Sequence, residues 1–408
     1  MTDERTGPVR DMVVVGASLA GLRAVEAARR AGFDGRLTLV GAEEHLPYDR
    51  PPLSKACLDA ADAPSVTYRE QESLAELEVE LLLGEPATAL DADRGALAVG
   101  DREVPFDAAV LCTGARARTL PGADHLAGVH TLRTLDDALA VRAALDGGAR
   151  TVVIGAGFIG SEVASAARKR GLSATVVEAM PTPLVRAIGT AMGEALTDLH
   201  RAHGTEVRCG VAVDGLEEAD GRVRGVRLAD GTVLLADLVV VGIGAFPETD
   251  WLASAGLPLD NGIVCDETLW TGVGRVYAAG DVARWHNPLF DAAMRIEHWT
   301  SAAEQGASAA RNALDPTAAK PYQTVPYFWS DWYDSRIQFV GIPGSDEVEV
   351  VSGGPEEGSF VALYRTGDRL TGALTLNRQA EIMKYRKQIA KRATWTEALE
   401  FARARAAR

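Results

Sequence analysis

Two stretches of this chain are near-copies of one another. VVVGASLAGLRAVEAARRAG, from Val13 to Gly32, and VVIGAGFIGSEVASAARKRG, from Val152 to Gly171, match at 9 of 20 positions without a gap. Each begins with an apolar run that lacks the alternation of a half-buried strand. Each then passes through a glycine-rich turn into an alanine-rich helix that stops at glycine. A second β-branched run follows, LTLVGAEE in the first copy and ATVVEA in the other. Strand, turn, helix and strand in that order make a βαβ unit, whose parallel strands are covered on both faces. The duplication predicts an α/β chain with two Rossmann-like dinucleotide-binding domains.

In the second copy Gly155 permits the tight turn, Gly157 lets the backbone approach a pyrophosphate, and Gly160 lets the helix pack on the strand. The free N–H groups at the helix start face the phosphates. Glu178 ends the second strand, where its carboxylate can accept from a ribose 2′-hydroxyl and would repel a 2′-phosphate, so NADH is expected over NADPH. Ile159, inside the fingerprint, and Gly244, at the end of VVVGIGA, are expected among the contacts of this cofactor. Arg186 either meets the cofactor's phosphates or adenine, or is a plain surface residue.

The first copy departs from the pattern. Gly16 keeps the turn, but Ser18 stands at the middle glycine position, and Ala42 occupies the strand end, leaving Glu43 or Glu44 to meet a ribose. A third element, RVYAAGDVA from Arg275 to Ala283, is an apolar strand, a glycine and an acid. It places Asp281 where a carboxylate can accept from a ribityl hydroxyl of FAD, and it assigns flavin to the first unit. A return to the first domain after the second βαβ unit implies that one domain is inserted into the other. The expected division is a discontinuous FAD-binding domain, 1–112 with 236–315, an NAD-binding domain, 113–235, and a C-terminal α+β domain, 316–408.

Bulk properties narrow the chemistry. Four cysteines, Cys57, Cys112, Cys209 and Cys265, show no CxxC spacing, which argues against structural zinc, a dithiol centre or a disulfide framework. No metal site is expected, and redox chemistry has to come from bound cofactors. The net charge of −15 disfavours nucleic acid as a partner. The chain has no apolar run of membrane length and no export-like start, so a cytoplasmic location away from the membrane is expected.

Nine motifs in order, GASLAGLRA, LPYDRPPLSK, VLCTGAR, GAGFIGSE, VVVGIGA, YAAGDVA, RIEHWTSAAEQG, VPYFWSDWYDSRIQFVG and LNRQAEIMKYRKQI, are similar to those of the FAD-dependent, NADH-oxidising ferredoxin reductases of bacterial oxygenase systems. The resemblance spans essentially the whole chain and implies a glutathione-reductase-like pair of domains plus the C-terminal domain. It implies that Ala20 and Gly21 approach the FAD pyrophosphate, that Lys55 lies beside the isoalloxazine, and that Arg50, Ala87, Arg133, Asp281 and Trp299 contact FAD. The electron acceptor it implies is an iron–sulfur ferredoxin that serves a cytochrome P450 or a Rieske-type ring-hydroxylating oxygenase. Whether the chain is a monomer or a homodimer stays open.

Disulfide reductases of the wider superfamily carry two cysteines ahead of a PSK-like ending, whereas YDRPPLSKACLD keeps the ending and has Cys57 alone. Without a dithiol, electrons have to leave the protein. Glu162, just past the third glycine, reads on its own as a first-turn acid favoured by the helix dipole. The resemblance makes it the buried partner of Lys55, joining two domains and shielding the place where nicotinamide meets flavin. Trp329 and Trp332 read as core aromatics, and the resemblance places Trp329 by the nicotinamide or flavin face. The tail from Arg378 to Arg408 holds nine Arg or Lys against three Glu. It reads as a solvated face or, around Lys384, Arg386, Lys387, Lys391 and Arg392, as a docking surface for an acidic protein. Two rival readings share the cofactor motifs: an NADH oxidase or small-molecule reductase, and a flavoprotein interaction protein resembling apoptosis-inducing factor.

Overall fold

A computed structural model describes residues 7–123, 125–343 and 346–406. The chain forms two compact units. The first gathers the segment ending at Asp49 with Ser65–Arg116 and Phe246–Pro326, and the second gathers Arg50–Pro64, Ala117–Ala245 and Tyr327 onwards.

The first unit is built on five parallel strands in the order Val276–Ala278, Ala108–Leu111, Asp11–Val15, Arg36–Gly41 and Val79–Leu83. The strands at its centre are apolar without alternation because both faces are covered: Val13, Val14, Ala108, Ala109, Val110 and Leu111 have no exposed surface. Helix Leu19–Arg30 leaves the central strand through the first glycine turn and packs against helix Trp299–Leu314. Two three-stranded sheets flank this core, Ala87–Asp91 with Ala96–Val99 and Arg102–Pro105, and Ile263–Cys265 with Ala283–Asn287 and Ala292–Met294.

The second unit repeats the plan, with parallel strands in the order Glu206–Cys209, Ala174–Glu178, Thr151–Ile154, Leu238–Val241 and Val129–His130. Helix Phe158–Lys169 follows its glycine turn. Helix Leu135–Asp146 starts at a capping box between Thr134 and Asp137. The C-terminal part is a five-stranded antiparallel sheet, Tyr327–Trp332, Ser335–Gly341, Arg369–Leu376, Ser359–Thr366 and Glu347–Gly354, followed by helices Gln379–Ala390 and Trp395–Ala406. Trp332, Phe339, Phe360 and Tyr364 of this sheet share one core with Ile188 and Leu196.

Four expected boundaries move. Residues 113–116, assigned above to the NAD domain, lie in the first unit, where Thr113 Oγ1 donates to Glu248 O at 2.9 Å. Residues 236–245, assigned above to the FAD domain, lie in the second unit, because Leu238–Val241 pairs in parallel with Thr151–Ile154 and its hydrogen bonds belong to that sheet. Arg50–Pro64 also lies there, tied down by Arg142, whose guanidinium donates to the carbonyls of Cys57 (2.7 Å) and Ala61 (2.6 Å). Residues 316–326 lie in the first unit instead of the C-terminal domain. Tyr322 N–H donates to Glu267 O at 2.7 Å and Asn287 Nδ2 to Thr324 O at 2.9 Å.

Candidate functional site

The two glycine turns are the same device built twice. Gly16 sits at φ +115°, with its N–H donating to Val40 O at 2.7 Å, and Gly155 sits at φ +101°, donating to Val177 O at 2.7 Å. A Cβ at Gly16 would fall 2.1 Å from Cys112 O, and one at Gly155 would fall 2.4 Å from Gly242 O. The third glycines bind each helix to its turn, since a Cβ at Gly21 would meet Gly16 O at 2.0 Å and one at Gly160 would meet Gly155 O at 2.4 Å. The middle position is different. A Cβ at Gly157 would stand 3.7 Å from its nearest neighbour, so the protein itself leaves room there. That space explains why Ser18 occurs at the matching place as N-cap of helix Leu19–Arg30 without deforming the turn. Both cradles fit a pyrophosphate at a helix N-terminus.

In the first unit Glu43 is the ordered acid after the second strand, accepting from Tyr48 OH at 2.5 Å, whereas Glu44 is exposed. Asp281 lies half-buried in the 3-10 turn Gly280–Val282, whose Gly280 N–H donates to Gln305 Oε1 at 2.8 Å. Arg295 Nη1 donates to Asp281 O at 3.0 Å. Burial pushes the adjacent His298 down to about 4, against the pull of the Asp281 charge, so this imidazole is neutral near pH 7. Trp299 opens helix Trp299–Leu314, and its indole N–H donates to Asp49 at 2.8 Å and to Tyr68 OH at 3.1 Å. Ala20 is buried on the first helix, and Ala87 is half-buried at the start of its strand.

In the second unit the Glu178 carboxylate is held at both oxygens. Ala156 N–H of the glycine turn donates to Oε2 at 2.8 Å and Met180 N–H donates to Oε1 at 2.9 Å. The acid is thus fixed beside the cradle by backbone alone. Ile159 is 41% exposed in the first helical turn, and Gly244 adopts φ +102° with its carbonyl accepting from Arg118 N at 2.9 Å. Arg186 is exposed on the four-residue helix Val185–Ile188.

Arg50, Lys55 and Arg133, three of the residues expected to serve FAD, belong to this second unit. Arg50 Nη1 donates to Arg133 O at 2.6 Å. Lys55 Nζ lies 2.8 Å from Glu162 Oε1, with Glu162 only 3% exposed on helix Phe158–Lys169. Both partners sit in one unit, so the pair fixes the Pro51–Asp59 segment to this helix. The carboxylate also accepts from the hydroxyls of Ser54 and Ser330 and from Asp331 N–H at 3.4 Å. Four protein contacts engage the two oxygens, as a buried charge requires.

Neither serine belongs to a motif that marks it as a site residue. Ser54 carries a local signal, since it directly precedes Lys55 in PPLSK. Ser330 carries none without the strand pairing that brings it to the helix. Trp329 is half-buried on strand Tyr327–Trp332, stacked on Tyr327 at 5.7 Å between ring centroids with Arg336 over its ring. Trp332, three residues on and therefore on the opposite strand face, is fully buried core.

Among the described residues all four cysteines are free, no group of His, Cys, Asp or Glu is placed to hold a metal ion, and no helix is long and apolar enough to cross a membrane. Lys387, Lys391 and Arg392 are exposed, and Lys384 and Arg386 are half-buried. Lys391 and Arg392 lie beyond helix Gln379–Ala390, so the patch wraps a helix end; Arg408 of the basic tail lies outside the described residues.

Two glycine cradles, each with an oriented acid, define a two-dinucleotide oxidoreductase. The chain belongs to the pyridine nucleotide-disulphide oxidoreductase family, whose model matches residues 10–306, and a reductase C-terminal model matches 327–404. It is 39% identical over 383 residues to rhodocoxin reductase of Rhodococcus erythropolis, covering 93% of this chain and 89% of that protein. It is 36% identical over 390 residues to putidaredoxin reductase CamA of Pseudomonas putida, covering 94% and 92%. Among solved structures, the ferredoxin reductase for the CYP199A2 system from Rhodopseudomonas palustris superposes with a TM-score of 0.90 at 34% identity, covering 96% of this chain and 99% of that one. The reductase in a covalent putidaredoxin reductase–putidaredoxin complex gives 0.91 at 34%, covering 98% and 100%. The cofactors of this oxidoreductase are FAD and NAD(H), which the two cradles fit.

Proposed function

We propose that this chain is an NADH-dependent ferredoxin reductase that passes electrons singly to a small iron–sulfur protein, which supplies a cytochrome P450 or a Rieske-type oxygenase in the cytoplasm. The observation that carries this reading is the segment Pro51–Asp59. Its Lys55 is paired with Glu162, and its lone Cys57 is buried and free, so the segment holds no dithiol to receive electrons. FAD when bound supplies a centre that accepts two electrons together and releases them one at a time.

The residues of the chain bind, orient and exclude water. Gly16, Ser18, Ala20, Gly21, Glu43, Ala87, Asp281 and Trp299 hold FAD in the first unit. Gly155, Gly157, Ile159, Gly160, Glu178, Arg186 and Gly244 hold NADH. Glu178 selects the free 2′-hydroxyl. Lys55 and Glu162 keep the reacting region dry and positioned, and Trp329 covers it. Lys384, Arg386, Lys387, Lys391 and Arg392 attract the acidic ferredoxin.

The test is NADH-dependent reduction of cytochrome c by the yellow protein, with and without a panel of 2Fe–2S and 3Fe–4S ferredoxins. A large ferredoxin-dependent rise supports the reading and names the cluster type. No rise with any member, together with rapid oxygen consumption, replaces it with an NADH oxidase.

A further inference from the structure

The Glu162 carboxylate stands at one end of a hydrogen-bonded relay inside the second unit. Ser330 Oγ donates to Glu162 Oε1, and Trp332 Nε1 lies 2.8 Å from the same Ser330 Oγ. An indole N–H only donates, and a serine hydroxyl has a single proton. With Trp332 filling an acceptor site on Ser330, the Ser330 proton is directed to Glu162.

Trp332 is itself immobilised. It has no exposed surface and stacks on His200, ring centroids 4.6 Å apart and planes at 28°. His200 is fully buried, with Nδ1 2.6 Å from Tyr333 OH and Nε2 3.1 Å from Ser161 Oγ. Burial pushes its imidazole down to about 4, so near neutral pH it offers one donor and one acceptor to those two hydroxyls. The Tyr333 hydroxyl also meets Thr205 Oγ1 at 2.7 Å, and Tyr333 N–H donates to Ser165 Oγ at 2.6 Å. Ser161 and Ser165 flank Glu162 on helix Phe158–Lys169. The hairpin turn that carries Trp332 is therefore pinned to the helix that carries Glu162.

We propose that Trp332 is a positioning residue for the Lys55–Glu162 pair, its indole N–H committing the Ser330 hydroxyl proton to the Glu162 carboxylate. The inference rests on the reading that this pair governs reduction of the enzyme by NADH. Trp332→Phe keeps an aromatic ring against His200 but removes the donor together with part of the buried ring, whereas Ser330→Ala removes the relay itself without touching that ring.

Two measurements decide it. In the FAD-loaded protein, anaerobic mixing with NADH should show flavin reduction slowed by roughly threefold to tenfold in each single variant, the fold-change of one ordinary hydrogen bond. The double variant should be no slower than Ser330→Ala alone, because both changes break one chain of bonds. Independently of turnover, the Trp332 indole 15N–1H resonance, assigned by its loss in Trp332→Phe, should shift in Glu162→Gln although the indole does not touch Glu162. Single-variant effects that multiply, or an indole resonance indifferent to Glu162→Gln, overturn the inference while leaving the role of the pair intact. Flavin reduction unchanged in Glu162→Gln overturns the role of the pair and the inference with it. Should Trp332→Phe not fold, Ser330→Ala and the indole shift still decide.

Discussion

Gly306 passes so close to Ala20 that a Cβ added to it would fall 2.0 Å from the Ala20 carbonyl oxygen. Helix Trp299–Leu314 therefore rests directly on the first turn of helix Leu19–Arg30, the turn proposed to face the FAD pyrophosphate. Gly306→Ala has to push the two helices apart, which costs about 1–3 kcal/mol. The purified variant is expected to melt several degrees lower and to lose FAD on gel filtration, both read from Tm and the ratio of flavin to protein absorbance.

Gly157 gives the opposite result. Its backbone is extended and its surroundings are open, so Gly157→Ala should change stability by less than about 0.5 kcal/mol. The methyl group occupies space meant for the pyrophosphate instead. Because Ser18 already carries a Cβ at the matching place of the other cradle, the NADH KM should rise more in Gly157→Val than in Gly157→Ala with FAD content unchanged, and a KM unaltered in both variants would remove the NADH cradle from this turn.

Loss of the Glu178 carboxylate is a test of cofactor choice. In Glu178→Ser the hydrogen bond from a ribose hydroxyl to a charged acceptor disappears, about 1.5–3 kcal/mol or roughly tenfold to a hundredfold in kcat/KM for NADH. The repulsion of a 2′-phosphate disappears with it, so NADPH should gain. Steady-state kinetics with both cofactors give the ratio directly.

Glu26 links stability to pH. It is 4% exposed on helix Leu19–Arg30, with Arg23 Nη1 at 2.7 Å, Arg69 Nη2 at 2.8 Å and Arg30 Nη2 at 3.0 Å. Burial by itself would raise its carboxyl, but the hydrogen bonds and charges of Arg23 and Arg69 outweigh burial and hold it below the ordinary carboxylate value. A group whose pKa is lowered by folding stabilises the protein above its unfolded pKa, and that contribution is lost as the pH falls through the folded pKa. Wild-type stability should thus drop below about pH 4.5, and Glu26→Gln should be less stable at pH 7 with a flatter acid limb in urea titrations.

Charge reversal at Lys384, Lys387 and Lys391 separates docking from chemistry. The ferredoxin KM should climb and its dependence on ionic strength should weaken, while flavin reduction by NADH keeps its rate. Slower flavin reduction would show that these cations serve another purpose.

Much of the site is legible in the sequence because its demands are local. Gly16, Gly21, Gly155 and Gly160 are dictated by collisions within one turn and the strand beside it, so a short motif records them. Glu178 follows for the same reason, one strand away from its glycines and held by their backbone. The basic residues around Lys384 were legible as charge, but their wrapping of a helix end depends on where Gln379–Ala390 stops.

Other features depend on pairings that no local pattern encodes. The apolar runs at Ala108–Leu111 and Leu238–Val241 look alike, and only hydrogen bonding, to Asp11–Val15 in one case and to Thr151–Ile154 in the other, assigns each to its sheet. That is why the second unit ends its inserted segment at Ala245; it claims Arg50–Pro64 through Arg142, which donates to the carbonyls of Cys57 and Ala61. Lys55 and Glu162 lie in recognisable motifs, yet the donors that complete the carboxylate, Ser54 and Ser330, stand 108 and 168 positions from it. His200 gave no signal at all, being one polar residue on an otherwise ordinary amphipathic helix.

The sequence by itself determined two duplicated cradles, their acids and the absence of a CxxC motif, because backbone sterics and side-chain charge act over a few residues. Tertiary structure alone decided which strands share a sheet and which hydroxyls reach Glu162. Those contacts exist only after distant segments have closed upon one another, and burial then forces every polar group among them to find a partner.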